Sequence, residues 1–237
     1  MNEIINEEIF RIYKRCNITH FPINCFQIIE TLGIPLIKYS SANEARRKSY
    51  HMVSDDSFKF KGKIYYNDLS PHIMRQRFSL MHELGHITLN HTGSSLQNED
   101  EADRFSSLIL APRIAIHKMR CQDAQQIHDT FQISYQAANR ALADYYNWFR
   151  QISQTTRKPT RPEQQIGELL FPAAPAAPAS QTGNSSQKAP KESRRTTAKA
   201  DRLQEYADFF NEMQQIHGTD SMFEHAESQF LSGDKKK

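Results

Sequence analysis

Cysteine is scarce in this chain of 237 residues: Cys16, Cys25 and Cys121 are the three it has, with no C-x-x-C pair among them. An odd, widely spaced set argues against a disulfide framework and a thiolate zinc site, and fits a reducing cytoplasm. Long apolar runs are missing too. No stretch reaches the roughly 18–20 consecutive apolar residues of a membrane helix. The opening residues, MNEIINEEIFRIYKRC, break their apolar positions with charge instead of building the continuous core of a signal peptide. The expectation is a soluble cytoplasmic protein with no membrane partner. Nor does either charge dominate. Thirty Lys+Arg against 27 Asp+Glu give +3, too little to draw the chain to nucleic acid. Internal repeats are absent.

Apolar residues are dense up to about Arg150 and then give way to Pro, Ala, Ser, Gln and Lys. The folded part is therefore expected to end near there. Ile5, Ile9, Ile12 and Tyr13 lie at helical spacing, which predicts a first amphipathic helix over Glu3 to Arg15. A short helix from about Asn24 to Thr31 stops at Gly33, and Ile34 to Tyr39 reads as a strand. Tyr50 to Asn67 holds two extended runs around Lys61-Gly62-Lys63, a hairpin or sheet edge. Ser70-Pro71 supplies an N-cap and a first-turn proline for a helix through PHIMRQRFSLMHELGHITLNH. Asn98 opens a further helix that stops before Pro112, and two or three helical pieces follow to Arg150.

The chemistry is expected in His82-Glu83-Leu84-Gly85-His86. Two histidines four apart on a helix project from one face and can share a zinc ion. Glu83 beside them can act as general base towards a water that zinc acidifies, while the ion polarises a scissile carbonyl. This is the H-E-x-x-H arrangement of a metallopeptidase. Phe78, Met81, Leu84, Gly85 and Ile87 make the surroundings apolar, where His-Glu-His without a cation would be costly.

A catalytic zinc usually takes a third protein ligand. His91 lies five residues beyond His86, a rotation of about 140° if the helix continues, so it is read as a helix-end residue favouring the C-terminal dipole. Among Glu99, Asp100 and Glu101, the last shares a helix face with Phe105 and Leu108, which makes Glu101 the expected ligand. The competing reading is a capping pair, Asn98-x-x-Glu101. Tyr65, Tyr66, His72 and His117 are unranked candidates for stabilising an oxyanion.

The segment RQRFSLMHELGH resembles the R-F-T-x-A-H-E-L-G-H segment of the ImmA/IrrE family of bacterial metallopeptidases, and EADRFSSLILAP resembles its E-A-N-x-F-A-x-x-L-L-M-P segment. KIYYN ahead of the helix is also similar, and the resemblance spans roughly Ile4 to Trp148. Asp103 stands where Asn is usual, Met81 and Ser106 where Ala is usual, and Ala111 where Met is usual. By position the resemblance implies His82, His86 and Glu101 as zinc ligands and Glu83 as the catalytic glutamate. It also implies a substrate: a helix-turn-helix repressor whose inactivation releases a mobile element or a stress response.

The expected fold class is α+β. Residues 1–120 form a zincin-like helical core with a small β-sheet, residues 121–150 a helical subdomain like a helix-turn-helix, 151–199 a low-complexity linker and 200–231 a C-terminal helical tail. In the subdomain, Gln132-Ile133-Ser134 reads as the turn. The helix after it offers Gln136, Asn139 and Arg140 but also Asp144, without a basic cluster, so packing is expected rather than DNA reading. The basic run from Lys188 to Arg202 reads as solvated linker. Two rivals to the peptidase stay open: a non-catalytic antirepressor that sequesters its target, and a DNA-binding regulator using residues 124–146.

Overall fold

The computed structural model describes residues 2–93 and 95–172, which fall in one compact unit. The expected C-terminal helix at 200–231 and most of the expected linker lie outside the described residues.

Helix α1 (Asn2–Arg15) opens the chain and buries Ile5, Ile9, Ile12 and Tyr13, the stripe anticipated from their spacing. Helix α2 (Cys25–Thr31) follows, its first turn capped by the Asn24 side chain on the Gln27 N–H. Strand β1 (Leu36–Lys38) leads to α3 (Glu44–Val53), then to β2 (Ser57–Phe60) and β3 (Lys63–Tyr66). The sheet order is β1-β3-β2, with β1 parallel to β3 in the register Leu36 to Ile64, and β2 antiparallel to it in the register Phe58 to Tyr65. Lys61 and Gly62 both take positive φ, 49° and 72°, as a two-residue hairpin turn requires. β3 is the central strand. Ile64 and Tyr66 are buried, while Tyr65 stacks on Phe58 at 4.9 Å.

Helix α4 (Ile73–Thr88) packs against this sheet and against α5 (Leu96–Leu110). It starts later than expected, with His72 and not Ser70 at the cap. α5 starts earlier, at Leu96, because Ser95 accepts the Asn98 N–H. This removes Asn98 as the cap. Leu80, Met81 and Leu84 of α4 and Ala102, Phe105 and Ile109 of α5 are buried, and the Tyr13 hydroxyl donates to the Ile109 carbonyl at 2.7 Å. Gly85 belongs to this contact. A Cβ there would lie 3.0–3.2 Å from Phe105 side-chain atoms, so the glycine of the motif lets the two helices approach.

Helices α6 (Arg113–Lys118), α7 (Ala124–Phe131) and α8 (Tyr135–Gln154) follow. Gln132 takes a left-handed φ of 49° and Ser134 caps α8, giving two packed helices joined by a short turn at the residues expected for it. The buried guanidinium of Arg77 in α4 ties this turn to the core, donating to the carbonyls of Ile23, Phe131 and Gln132 at 2.8–3.2 Å. The connector expected from residue 151 gives way to structure. α8 runs to Gln154, and α9 (Arg161–Leu170) packs on α1 and α6. Pro162 in its first turn and a Thr160–Glu163 capping box start it, and Ile166 and Leu170 are its buried stripe. Glu163 also receives Arg113 at 2.8 Å, both side chains buried. No helix of the described residues is long and apolar enough to cross a membrane.

Candidate metal centre

His82 and His86 sit one turn apart on the face of α4 that meets α5, their Nε2 atoms 3.0 Å apart. The carboxylate that joins them is Glu99, not Glu101. Its Oε2 lies 3.2 Å from His82 Nε2 and 3.5 Å from His86 Nε2, and the three ligand atoms lie within 4.8 Å of one another. Around a tetrahedral ion with bonds of ~2.0–2.1 Å, neighbouring ligand atoms stand about 3.3 Å apart, so the triangle has the dimensions a zinc ion needs. The donor set, two imidazoles and one carboxylate, also suits zinc. His86 is buried, whereas His82 and Glu99 are partly exposed. The site thus opens to one side, where a fourth position would be reached.

Glu101 lies elsewhere. Its Oε2 is 3.1 Å from His91 Nε2, and its Oε1 accepts from Gln97 at 2.9 Å. These bonds, Gln97's first, lower its pKa. The expectation of Glu101 as ligand is corrected by the way α5 packs. On α5, Ala102, Phe105 and Ser106 are fully buried, with Phe105 against Gly85 of α4. Glu99 is three residues before Ala102 and seven before Ser106, on the same side as both. Glu101, four residues before Phe105, shares that residue's side of α5 but is taken up by His91 and Gln97. Asp103, one turn after Glu99, lies 2.8 Å from His82 Nδ1 and accepts that ring's N–H, leaving Nε2 to face the ligand cluster. The i, i+4 spacing of Glu99 and Asp103 beside two small residues is the signal that sequence reasoning missed.

His91 is also placed differently from its expectation. α4 does not continue past Thr88. Asn90 takes a left-handed φ of 55°, and the N–H groups of Asn90 and His91 return to the carbonyls of Ile87 and His86 at 3.1 and 3.0 Å. The reversal folds the His91 ring back against His86, with 3.0 Å between their Nδ1 atoms. It remains outside the ligand triangle, on the far side of His86.

Glu83 is buried, and burial lifts its pKa to about 7 against the opposing pull of His82 and the Lys59 backbone N–H. A carboxyl so poised can exchange a proton near neutrality. Burial also disfavours charge on His82, but the Asp103, Glu83 and Glu99 carboxylates more than offset it and raise that ring's pKa. Burial and then His82 hold His86 below its ordinary value, a shift that favours the neutral ring metal binding needs. A cavity of about 200 Å³ opens over His82 and Glu83, bounded by Phe78 and by Ser54, Asp56 and Ser57 at the head of β2. Arg75 fixes this wall through Asp56 at 2.7 Å. The Ser57 hydroxyl is buried and has no hydrogen-bond partner among the described residues. Tyr65, Tyr66, His72 and His117 do not line this cavity.

No curated protein and no solved structure is significantly similar to the chain. A family model does match, over residues 29–143, and its description is the IrrE N-terminal-like domain of the Peptidase_M78 type. The match covers α4, α5 and every member of the His82, His86 and Glu99 cluster. With this H-E-x-x-H zinc-protease arrangement inside it, the chain contains an IrrE N-terminal-like peptidase domain, as the ImmA/IrrE resemblance implies.

Proposed function

We propose that the chain is a zinc-dependent endopeptidase of the reducing cytoplasm that cleaves a helix-turn-helix repressor and so derepresses a mobile element or a stress response. The observation that carries it is the His82, His86 and Glu99 triangle with buried Glu83 beside it, next to a cavity that His82 and Glu83 line. Zinc held by the three ligands would supply Lewis acidity, making water more acidic and a carbonyl more electrophilic. The chain's own residues do the rest. Glu83 takes the proton from the attacking water on its carboxylate and passes it to the departing amine. Asp103 holds His82 in the orientation that turns Nε2 inward. β2 lies at the sheet edge beside the cleft, where an extended peptide can add as a further strand.

In this reading residues 1–120 are a zincin-like peptidase domain, and 121–150 a helix-turn-helix-like subdomain that helps hold the substrate. The packed α7-turn-α8 pair and the Arg77 tie to α4 support that role. The three described cysteines are free thiols, which fits a reducing compartment.

Co-expression with the repressor of a neighbouring gene tests the proposal, comparing wild type with Glu83→Gln at matched protein levels. Repressor fragments in the wild type alone are expected. Equal derepression by both, without fragments, would overturn catalysis and make the protein a sequestering antirepressor.

A further inference from the structure

The geometry points to His91 and Glu101 as positioning residues for zinc ligand His86: a hydrogen-bonded relay that fixes which of its ring nitrogens is free to bind metal. The inference rests on the zinc reading above and adds two residues that the ligand triangle does not use.

The relay can be followed from its far end by donor and acceptor capacity. The Gln97 amide donates to Glu101 Oε1 at 2.9 Å, which orients the carboxylate. An ionised carboxylate only accepts. The ring nitrogen 3.1 Å from Glu101 Oε2, His91 Nε2, must therefore carry the proton of that bond. In a neutral imidazole the other nitrogen is then an acceptor, so His91 Nδ1 accepts. Its partner 3.0 Å away, His86 Nδ1, must donate. With its proton on Nδ1, His86 has a lone pair on Nε2, the atom facing His82 and Glu99. The carboxylate at the end of the relay polarises both rings towards that lone pair, as an outer carboxylate does for a ligating histidine.

The backbone builds this arrangement. Left-handed Asn90 turns His91 back onto His86. The Lys59 ammonium of β2 donates to the His91 carbonyl at 2.7 Å and pins the reversed segment. The His91 side chain is 6% exposed and that of Glu101 18%, so little solvent competes for either bond. Each histidine ligand thus has its own anion on α5: Asp103 directly for His82, and Glu101 through His91 for His86.

Two readouts on the full chain test the relay. Long-range proton–nitrogen spectra of the metal-free, histidine-labelled protein show which nitrogen of each ring is protonated. Competition with a chelator gives zinc affinity. The relay requires His86 protonated on Nδ1 and His91 on Nε2 in the wild type. His91→Leu and Glu101→Ala should each weaken zinc by about 10–100-fold, less than Glu99→Ala does. His91→Gln, whose amide can accept from His86 and donate to Glu101, should recover most of the affinity. Wild-type His86 protonated on Nε2 would overturn the relay, as would a folded His91→Leu protein with unchanged affinity. A Glu101→Ala loss equal to that of Glu99→Ala would make Glu101 a ligand and overturn it too. Failure of the wild type to bind zinc at all would sink the metal reading, while the apo spectra still decide the relay.

Discussion

Glu83 and His86 are set by burial, and His82 by the carboxylates around it. A carboxyl lifted to about 7 is protonated below that pH and cannot accept a proton. Cleavage should therefore fall on acidification. Bound zinc adds positive charge beside Glu83 and pulls its pKa down, so the acid limb of kcat/KM is expected at or below about 7. A limb well above 7 in the pH profile would contradict Glu83 as the base. Gly85 allows a second test. Alanine there gains about 1 kcal/mol of helix propensity but overpacks a fully buried Phe105 at a cost of about 1–3 kcal/mol. Gly85→Ala should be destabilised by about 1 kcal/mol in chemical denaturation, and a stabilised variant would contradict the close helix contact. At this scale the motif was legible because its chemistry is written in adjacent residues. The third ligand was not. Choosing between Glu99 and Glu101 depends on side-chain contacts between α5 and α4 that only the fold supplies, with Glu99 reaching His82 and His86 and Glu101 reaching His91.

Among the elements, α1, α2, the hairpin and the α4–α5 pair follow from apolar periodicity and turn chemistry, with ends displaced by a few residues. α3 had no such signal, since none of its residues is buried. Its apolar residues gather at its end, where Tyr50 packs on Tyr39, Phe58 and Tyr65 while Met52 and Val53 stay exposed, and such a helix leaves no stripe to read. α9 was hidden in a Pro- and Gln-containing stretch that resembles a linker, although Pro162, Glu163, Ile166 and Leu170 are a start signal and a stripe. Its anchoring is testable. Arg113→Ala would leave Glu163 buried without its 2.8 Å partner, an expected loss of about 3–5 kcal/mol in denaturant unfolding. Replacing both residues by Met should recover most of it. A loss under about 1 kcal/mol in the single variant would mean that α9 is not held through this pair.

At the scale of the molecule, a three-stranded sheet with β2 at its edge and a helical core place one cleft over His82 and Glu83. The α+β class was legible from the sequence, because helix and strand periods alternate along the chain. The assembly of the metal centre was not, because it needs a reversal at Asn90 and a contact between helices that no local pattern encodes. The proposed chemistry stands on one zinc ion held by His82, His86 and Glu99. An anomalous difference map collected at the zinc edge from crystals of the zinc-loaded full chain tests it most directly. One peak is expected within about 2.0–2.2 Å of His82 Nε2, His86 Nε2 and a Glu99 oxygen, with Glu101 bonded to His91. A zinc ion ligated by Glu101 or His91 in place of Glu99, or no ion on the two motif histidines, would contradict it.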